Sequence, residues 1–129
     1  MLVYADTSAL AKLILDEPEA HSVARFLDDV DVLITSRLTQ IEIVRAASRH
    51  PHPTEDSLAR MMERLVFREL TSDIAAAAAG LQPPELRSLD AIHLATAIEF
   101  SSELDAFLTY DKRLAAAARQ HGLTVAAPT

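Results

Sequence analysis

Short apolar runs, each closing on a polar residue and followed by a helical stretch, constrain this chain more than any other feature. LVYA (2–5) closes on Asp6, VLIT (32–35) on Ser36 and AFLTY (106–110) on Asp111. Runs this short and this continuously apolar read as strands buried on both faces, which is the habit of a parallel sheet covered by helices. Residues 66–70 and 123–126 add two further short candidates. Between the runs, helical patterns are expected over 7–15, 19–29, 36–48, 54–65, 72–80, 88–101 and 111–121. Asp6 or Thr7 caps the first, Ser36 the third, Thr54 the fourth and Ser88 the sixth. The second helix turns Ala20, Val23, Ala24 and Leu27 to one side. The third turns Leu38, Ile41, Val44 and Ala47 inward. HPHP (50–53) and QPPELR (82–87) read as loops from their prolines. Strands alternating with helices define an α/β fold, in which ligands bind beyond the carboxyl ends of the strands.

The 129 residues suit a single domain spanning 1–129, with half of them apolar and enough chain for a real core. Cysteine is absent, which excludes disulfides, thiolate nucleophiles and cysteine-ligated zinc and suits a reducing cytoplasm. No run approaches the ~20 apolar residues of a membrane span, so a soluble cytoplasmic protein without membrane association is expected. A net charge of −7 argues against a protein that coats nucleic acid without regard to sequence. It leaves room for an acidic cluster whose charge a bound cation would neutralise.

The acids at the element boundaries carry the chemistry. SLDAIHLATA (88–97) is apolar almost all round, yet Asp90 stands near its start. A buried carboxylate without a partner costs several kcal/mol or more, so Asp90 is expected to hold something or be held. Asp6 and Asp111 end strands and therefore lie at the same sheet edge; each also suits a helix N-cap. Glu42, in TQIEIVRA, lies two turns into the helix after the second strand; its plainer reading is a pair with Arg45 one turn on. Together, four acids from four elements can meet at one pocket. Two carboxylates ~4 Å apart repel by about 4 kcal/mol at an effective dielectric near 20, so four together call for a cation. Hard oxygen ligands suit Mg²⁺ or Mn²⁺. Asp105 precedes its strand and belongs to the opposite edge. Thr7, Ser8 and Thr109 neighbour the acids and suit either capping or orientation of a carboxylate. Arg87 suits a phosphate contact or a solvated loop. His93, one turn after Asp90, reads as a packed, hydrogen-bonded histidine rather than a ligand. The other histidines show no zinc spacing.

These segments carry a resemblance. YADTSALAKL (4–13), the glutamate of LTQIEIVRA (38–46), SLDAIHLATA (88–97) and FLTYDKRL (107–114) resemble the PIN-domain family, and within it the VapC-type toxins of toxin–antitoxin pairs. The family's acidic quartet falls on Asp6, Glu42, Asp90 and Asp111. Its small polar residue after the first acid falls on Thr7 or Ser8. The one before the last acid falls near Thr109, with Tyr110 between. The resemblance implies a three-layer α/β/α sandwich with a four- to five-stranded parallel sheet. It implies an Mg²⁺-dependent endoribonuclease, with Mn²⁺ as substitute, in which Asp6, Asp90 and Glu42 hold the metal and Asp111 supports a second ion or the water. It further implies an RNA substrate, a small cognate antitoxin and a homodimer. Lys12, Arg37, Arg45, Arg87, Lys112 and Arg113 are candidates for a basic rim.

Two other readings stay open. An acid after the first strand also suits phosphoryl transfer through an aspartyl-phosphate, although Ser8 stands where a phosphatase of that kind needs a second acid. The second is a non-catalytic interaction module that keeps the fold.

Overall fold

The computed structural model describes residues 1–50 and 55–129. Five strands form one sheet: β1 (Leu2–Ala5), β2 (Val32–Ser36), β3 (Leu65–Arg68), β4 (Ala106–Leu108) and β5 (Val125–Ala126). Their order is β3-β2-β1-β4-β5, and every pairing is parallel. Seven helices connect them among the described residues: α1 (Thr7–Ile14), α2 (Ala20–Leu27), α3 (Arg37–Ser48), α4 (Glu55–Arg64), α5 (Ser72–Ala79), α6 (Ser88–Ile98) and α7 (Lys112–Gln120).

The pleat sorts the strand residues into two cores. Val3, Ala5, Leu33, Ala106 and Leu108 face a core built with Leu10, Ile14, Val23, Leu27 and Ile43, from α1, α2 and α3. Tyr4, Ile34 and Phe107 face the other, built with Leu94 and Ala97 of α6 and Leu114, Ala117 and Ala118 of α7. Helix α5 rests on α6. The result is the three-layer α/β/α sandwich the sequence implied, with five strands. Because β1, β2 and β4 run the same way, Asp6, Ser36 and Thr109 emerge at one edge. At the opposite edge the Leu2 amide donates to Asp105 Oδ2 at 2.7 Å, which keeps Asp105 away from the other acids.

Several expectations shift. Leu65 belongs to β3 rather than to the helix before it, and β4 ends at Leu108, so Thr109 and Tyr110 are already in the turn. Helix α6 ends at Ile98. Its N-cap is Arg87, not Ser88, and no side chain caps it. Leu89 is 47% exposed. Ala24 of α2 faces water. The largest change is in α3. Its buried positions are Thr39, Ile43 and Ala47, while Ile41 and Val44 are 57% and 42% exposed. Thr39 turns inward because its hydroxyl meets that of Thr35 at 2.6 Å, and Thr35 donates onward to the Ala5 carbonyl. The expected Thr54 cap and most of the HPHP loop lie outside the described residues.

Phe107 stacks on Tyr4 with ring centroids 5.3 Å apart, and neither ring is exposed. Phe107→Ala is expected to destabilise the fold by about 3–5 kcal/mol, the usual cost of an emptied aromatic site. Denaturant unfolding measures it, and a loss within error of zero would contradict this packing.

Candidate active site

Asp6 is the anchor of the carboxyl edge. It caps α1, accepting the Ala9 amide at 3.0 Å, and its carboxylate is only 3% exposed. The Ser8 hydroxyl meets its two oxygens at 2.7 and 2.9 Å, and the Thr109 hydroxyl donates to Oδ2 at 2.7 Å. Both hydroxyls also reach the β4–α7 turn. Ser8 Oγ accepts the Tyr110 amide at 3.0 Å and Thr109 Oγ1 accepts the Asp111 amide at 3.1 Å. Burial raises the pKa of Asp6, and the bonds from Thr109 and Ser8 offset that only in part.

Asp111 caps α7, its Oδ1 accepting the Leu114 amide at 2.9 Å. The capping readings of Asp6 and Asp111 therefore hold, and they coexist with a shared position at the sheet edge. Asp90 sits in the first turn of α6. Its carboxylate is half-buried and makes no hydrogen bond among the described residues. Its pKa is raised, first by loss of water and then by the charge of Asp111; Asp6 adds to this, while His93 and Arg87 oppose it. Beside it opens a cavity of about 210 Å³, lined by Arg87, Asp90, Asp111, Lys112 and Arg113 among others.

Glu42 reaches the same edge from α3. Its Oε1 accepts the Thr7 hydroxyl at 2.6 Å and lies 3.0 Å from His93 Nε2. Arg45 does not compete for it. Burial works to raise the pKa of Glu42, but bonds from His93 and Thr7 prevail and the net shift is downward. Thus Thr7 and Ser8 divide the work: one holds Glu42, the other Asp6 and the β4–α7 turn. His93 is buried and hydrogen-bonded as the sequence suggested, but its partner is an acid of the site. Sequence reasoning missed Tyr4, whose hydroxyl lies 2.7 Å from His93 Nδ1. The available signal was the alternation within LVYA, which puts a phenol in the core where it must find a partner.

Of the candidate rim, Arg87, Lys112 and Arg113 line the cavity. Lys12 pairs with Glu17 and Glu19, Arg37 with Glu69, and Arg45 stands exposed. Among the described residues no three acidic or histidine side chains are arranged to hold a metal ion as they stand. The donor set is nevertheless of the right kind: hard carboxylate oxygens, with a repulsion between Asp90 and Asp111 that a cation would relieve.

A parallel α/β sandwich with acids from separate elements at its carboxyl edge defines a class of domain, and comparison identifies it. The PIN-domain family model matches residues 3–120, and the chain belongs to that family. It is 43% identical over 134 residues to ribonuclease VapC35 of Mycobacterium tuberculosis, covering 98% of this chain and 97% of that protein. It is 38% identical over 132 residues to ribonuclease VapC47 of the same organism, with the same coverage. Among solved structures, M. tuberculosis VapC20, described as a sarcin–ricin loop cleaving toxin, superposes with a TM-score of 0.68 at 18% identity, over 89% of this chain and 94% of that one. FitAB bound to a DNA fragment superposes with a TM-score of 0.67 at 19% identity, over 97% and 94%.

The raised pKa of Asp90 has a consequence for stability. Its protonated form is favoured in the fold, so that contribution is present below the ordinary Asp pKa of about 3.9 and lost as pH rises through the folded value. Without divalent cations, Asp90→Asn is expected to melt higher than wild type at neutral pH. The difference should shrink as the pH falls toward 4, as thermal melts across a pH series would show.

Proposed function

We propose that this protein is a divalent-cation-dependent endoribonuclease and the toxin of a toxin–antitoxin pair. The observation that carries the reading is Asp90: an acid with no hydrogen-bond partner among the described residues, raised in pKa by burial and then by the charge of Asp111, and opening on a cavity that also holds cationic side chains. Supporting it are full-length relatives named as VapC ribonucleases.

Asp6, Asp90 and Glu42 would hold Mg²⁺, or Mn²⁺ in its place, with Asp111 supporting a second ion or the attacking water. When bound, such ions lower the pKa of a water molecule and stabilise the leaving oxygen of a phosphodiester. The chain's own contribution is positional. Asp6 is immobilised by Ser8, Thr109 and the Ala9 amide, and Glu42 by Thr7 and His93. Arg87, Lys112 and Arg113 border the acids and suit the phosphates flanking the cut; arginine supplies forked donors for them. A small antitoxin would act by filling this groove. A homodimer would cover Ile41 and Val44, which α3 leaves in water.

The aspartyl-phosphate alternative fits less well, because Ser8 stands where a phosphatase of that kind needs a second acid and it is instead bonded to Asp6.

Purified protein is expected to cleave total cellular RNA with Mg²⁺ or Mn²⁺, to stop with EDTA, and to lose the activity in Asp90→Asn. Mn²⁺ should raise the melting temperature of wild type and leave Asp90→Asn nearly unchanged, since a ligand stabilises only the state that binds it. Equal inertness of the two proteins with no Mn²⁺-induced shift in either would sink the nuclease reading. Separately, Arg87→Ala should raise KM more than it lowers kcat, the mark of a phosphate contact made equally in ground and transition states; an unchanged KM would remove Arg87 from the interface.

A further inference from the structure

Behind Glu42 lies a polar line that runs into the core. Tyr4 in β1 is fully buried, and its hydroxyl lies 2.7 Å from His93 Nδ1. His93 in α6 is 2% exposed, and its Nε2 lies 3.0 Å from Glu42 Oε1 in α3. Thr7 completes the set from α1, donating to the same oxygen at 2.6 Å. The phenol also stacks its ring on Phe107 and meets the imidazole edge-on, with centroids 6.0 Å apart, so neither ring is free to turn.

We infer that Tyr4 and His93 are positioning residues for Glu42, holding its carboxylate in one orientation at the carboxyl edge of the sheet. The direction of each bond follows from what the groups can do. A carboxylate oxygen only accepts, so Nε2 carries a proton. In the neutral ring Nδ1 is then bare and takes the phenol proton. Every donor points toward Glu42: phenol to ring, ring to carboxylate, Thr7 hydroxyl to carboxylate. Both bonds to Glu42 fall on Oε1, and among the described residues none falls on Oε2. One oxygen is thus tethered and the other is presented. Glu42 needs this because it stands on a helix with its side chain partly in water, 27% exposed, where an unheld glutamate would sample several rotamers. Outer partners of this kind keep a ligating carboxylate in register, and their loss commonly costs 10–100-fold in activity or metal affinity.

The inference rests on the nuclease reading, and the experiment separates the two. Wild type, Glu42→Gln, His93→Ala, His93→Gln and Tyr4→Phe are compared by RNA cleavage and by calorimetric titration with Mn²⁺. The ring nitrogen spectrum of His93 is recorded without metal across a pH series and assigned from its absence in His93→Gln. The spectrum should show the Nε2–H tautomer. His93→Ala should lower kcat, or Mn²⁺ affinity, about 10–100-fold with KM unchanged. His93→Gln, whose amide can donate to Glu42, should recover most of the loss, and Tyr4→Phe should show a smaller one. If His93→Ala does not fold, Tyr4→Phe, His93→Gln and the ring spectrum decide. Wild-type kcat and Mn²⁺ affinity in Tyr4→Phe and the folded His93 variants, beside an impaired Glu42→Gln, would overturn the positioning role alone. So would an Nδ1–H tautomer. A wild type that neither cleaves nor binds Mn²⁺ overturns the nuclease reading and this role with it.

Discussion

The carboxylate of Asp6 is withdrawn from water and held by Ser8, Thr109 and the Ala9 amide. Much of the domain depends on that one arrangement. It starts α1, closes the end of β1 and ties the β4–α7 turn to both. A buried charge tolerates this only when its lone pairs are met, which is why two hydroxyls and a backbone amide converge there. The same bonds keep Asp111 near the other acids, since Thr109 contacts Asp6 with its proton and the Asp111 amide with its oxygen. Stability at this edge and geometry of the pocket are therefore one network.

Around Asp6 the acids are treated in different ways. Asp111 accepts the Leu114 amide as a helix cap, and Glu42 is stabilised in its charged form by His93 and Thr7. Asp90 has no such hydrogen bond among the described residues, and loss of water and the charge of Asp111 raise its pKa against the pull of His93 and Arg87. An apolar helix opening on a strained acid is a local conflict of the kind that folded proteins keep where they act. Arg87, Lys112 and Arg113 set opposite charge beside it, so a chain of net charge −7 still presents cations at the pocket. Net charge describes the molecule from afar; a phosphodiester would meet the local arrangement.

Much of this was legible in sequence for a simple reason. A strand buried on both faces has to be apolar throughout, and the polar residue that ends it has to leave the sheet. VLIT–Ser36 and LVYA–Asp6 show both requirements in a few letters. Helix α3 shows where such reading fails. RLTQIEIVRAAS has apolar residues on more than one side, and hydrophobicity favoured Leu38, Ile41, Val44 and Ala47 as the inner face, of which Ala47 alone is buried. The packed face is Thr39, Ile43 and Ala47, because a hydroxyl pair with Thr35 lets a threonine enter the core. A polar residue becomes an interior one only once its partner is placed, and no local pattern shows the partner.

By itself, then, the sequence determined the strand–helix alternation, the parallel sheet and the gathering of Asp6 and Asp111 at one edge, since those follow from burial and from chain direction. It also singled out Asp90 and Glu42, through an acid in an apolar helix and a family pattern. Only the tertiary structure decided how each acid is held. The partners of Glu42 are Thr7 and His93, and His93 in turn meets Tyr4; these lie 35, 51 and 89 residues apart along the chain as paired. Hydrogen bonds depend on distances of a few tenths of an ångström between groups that only the packed sheet and helices bring together.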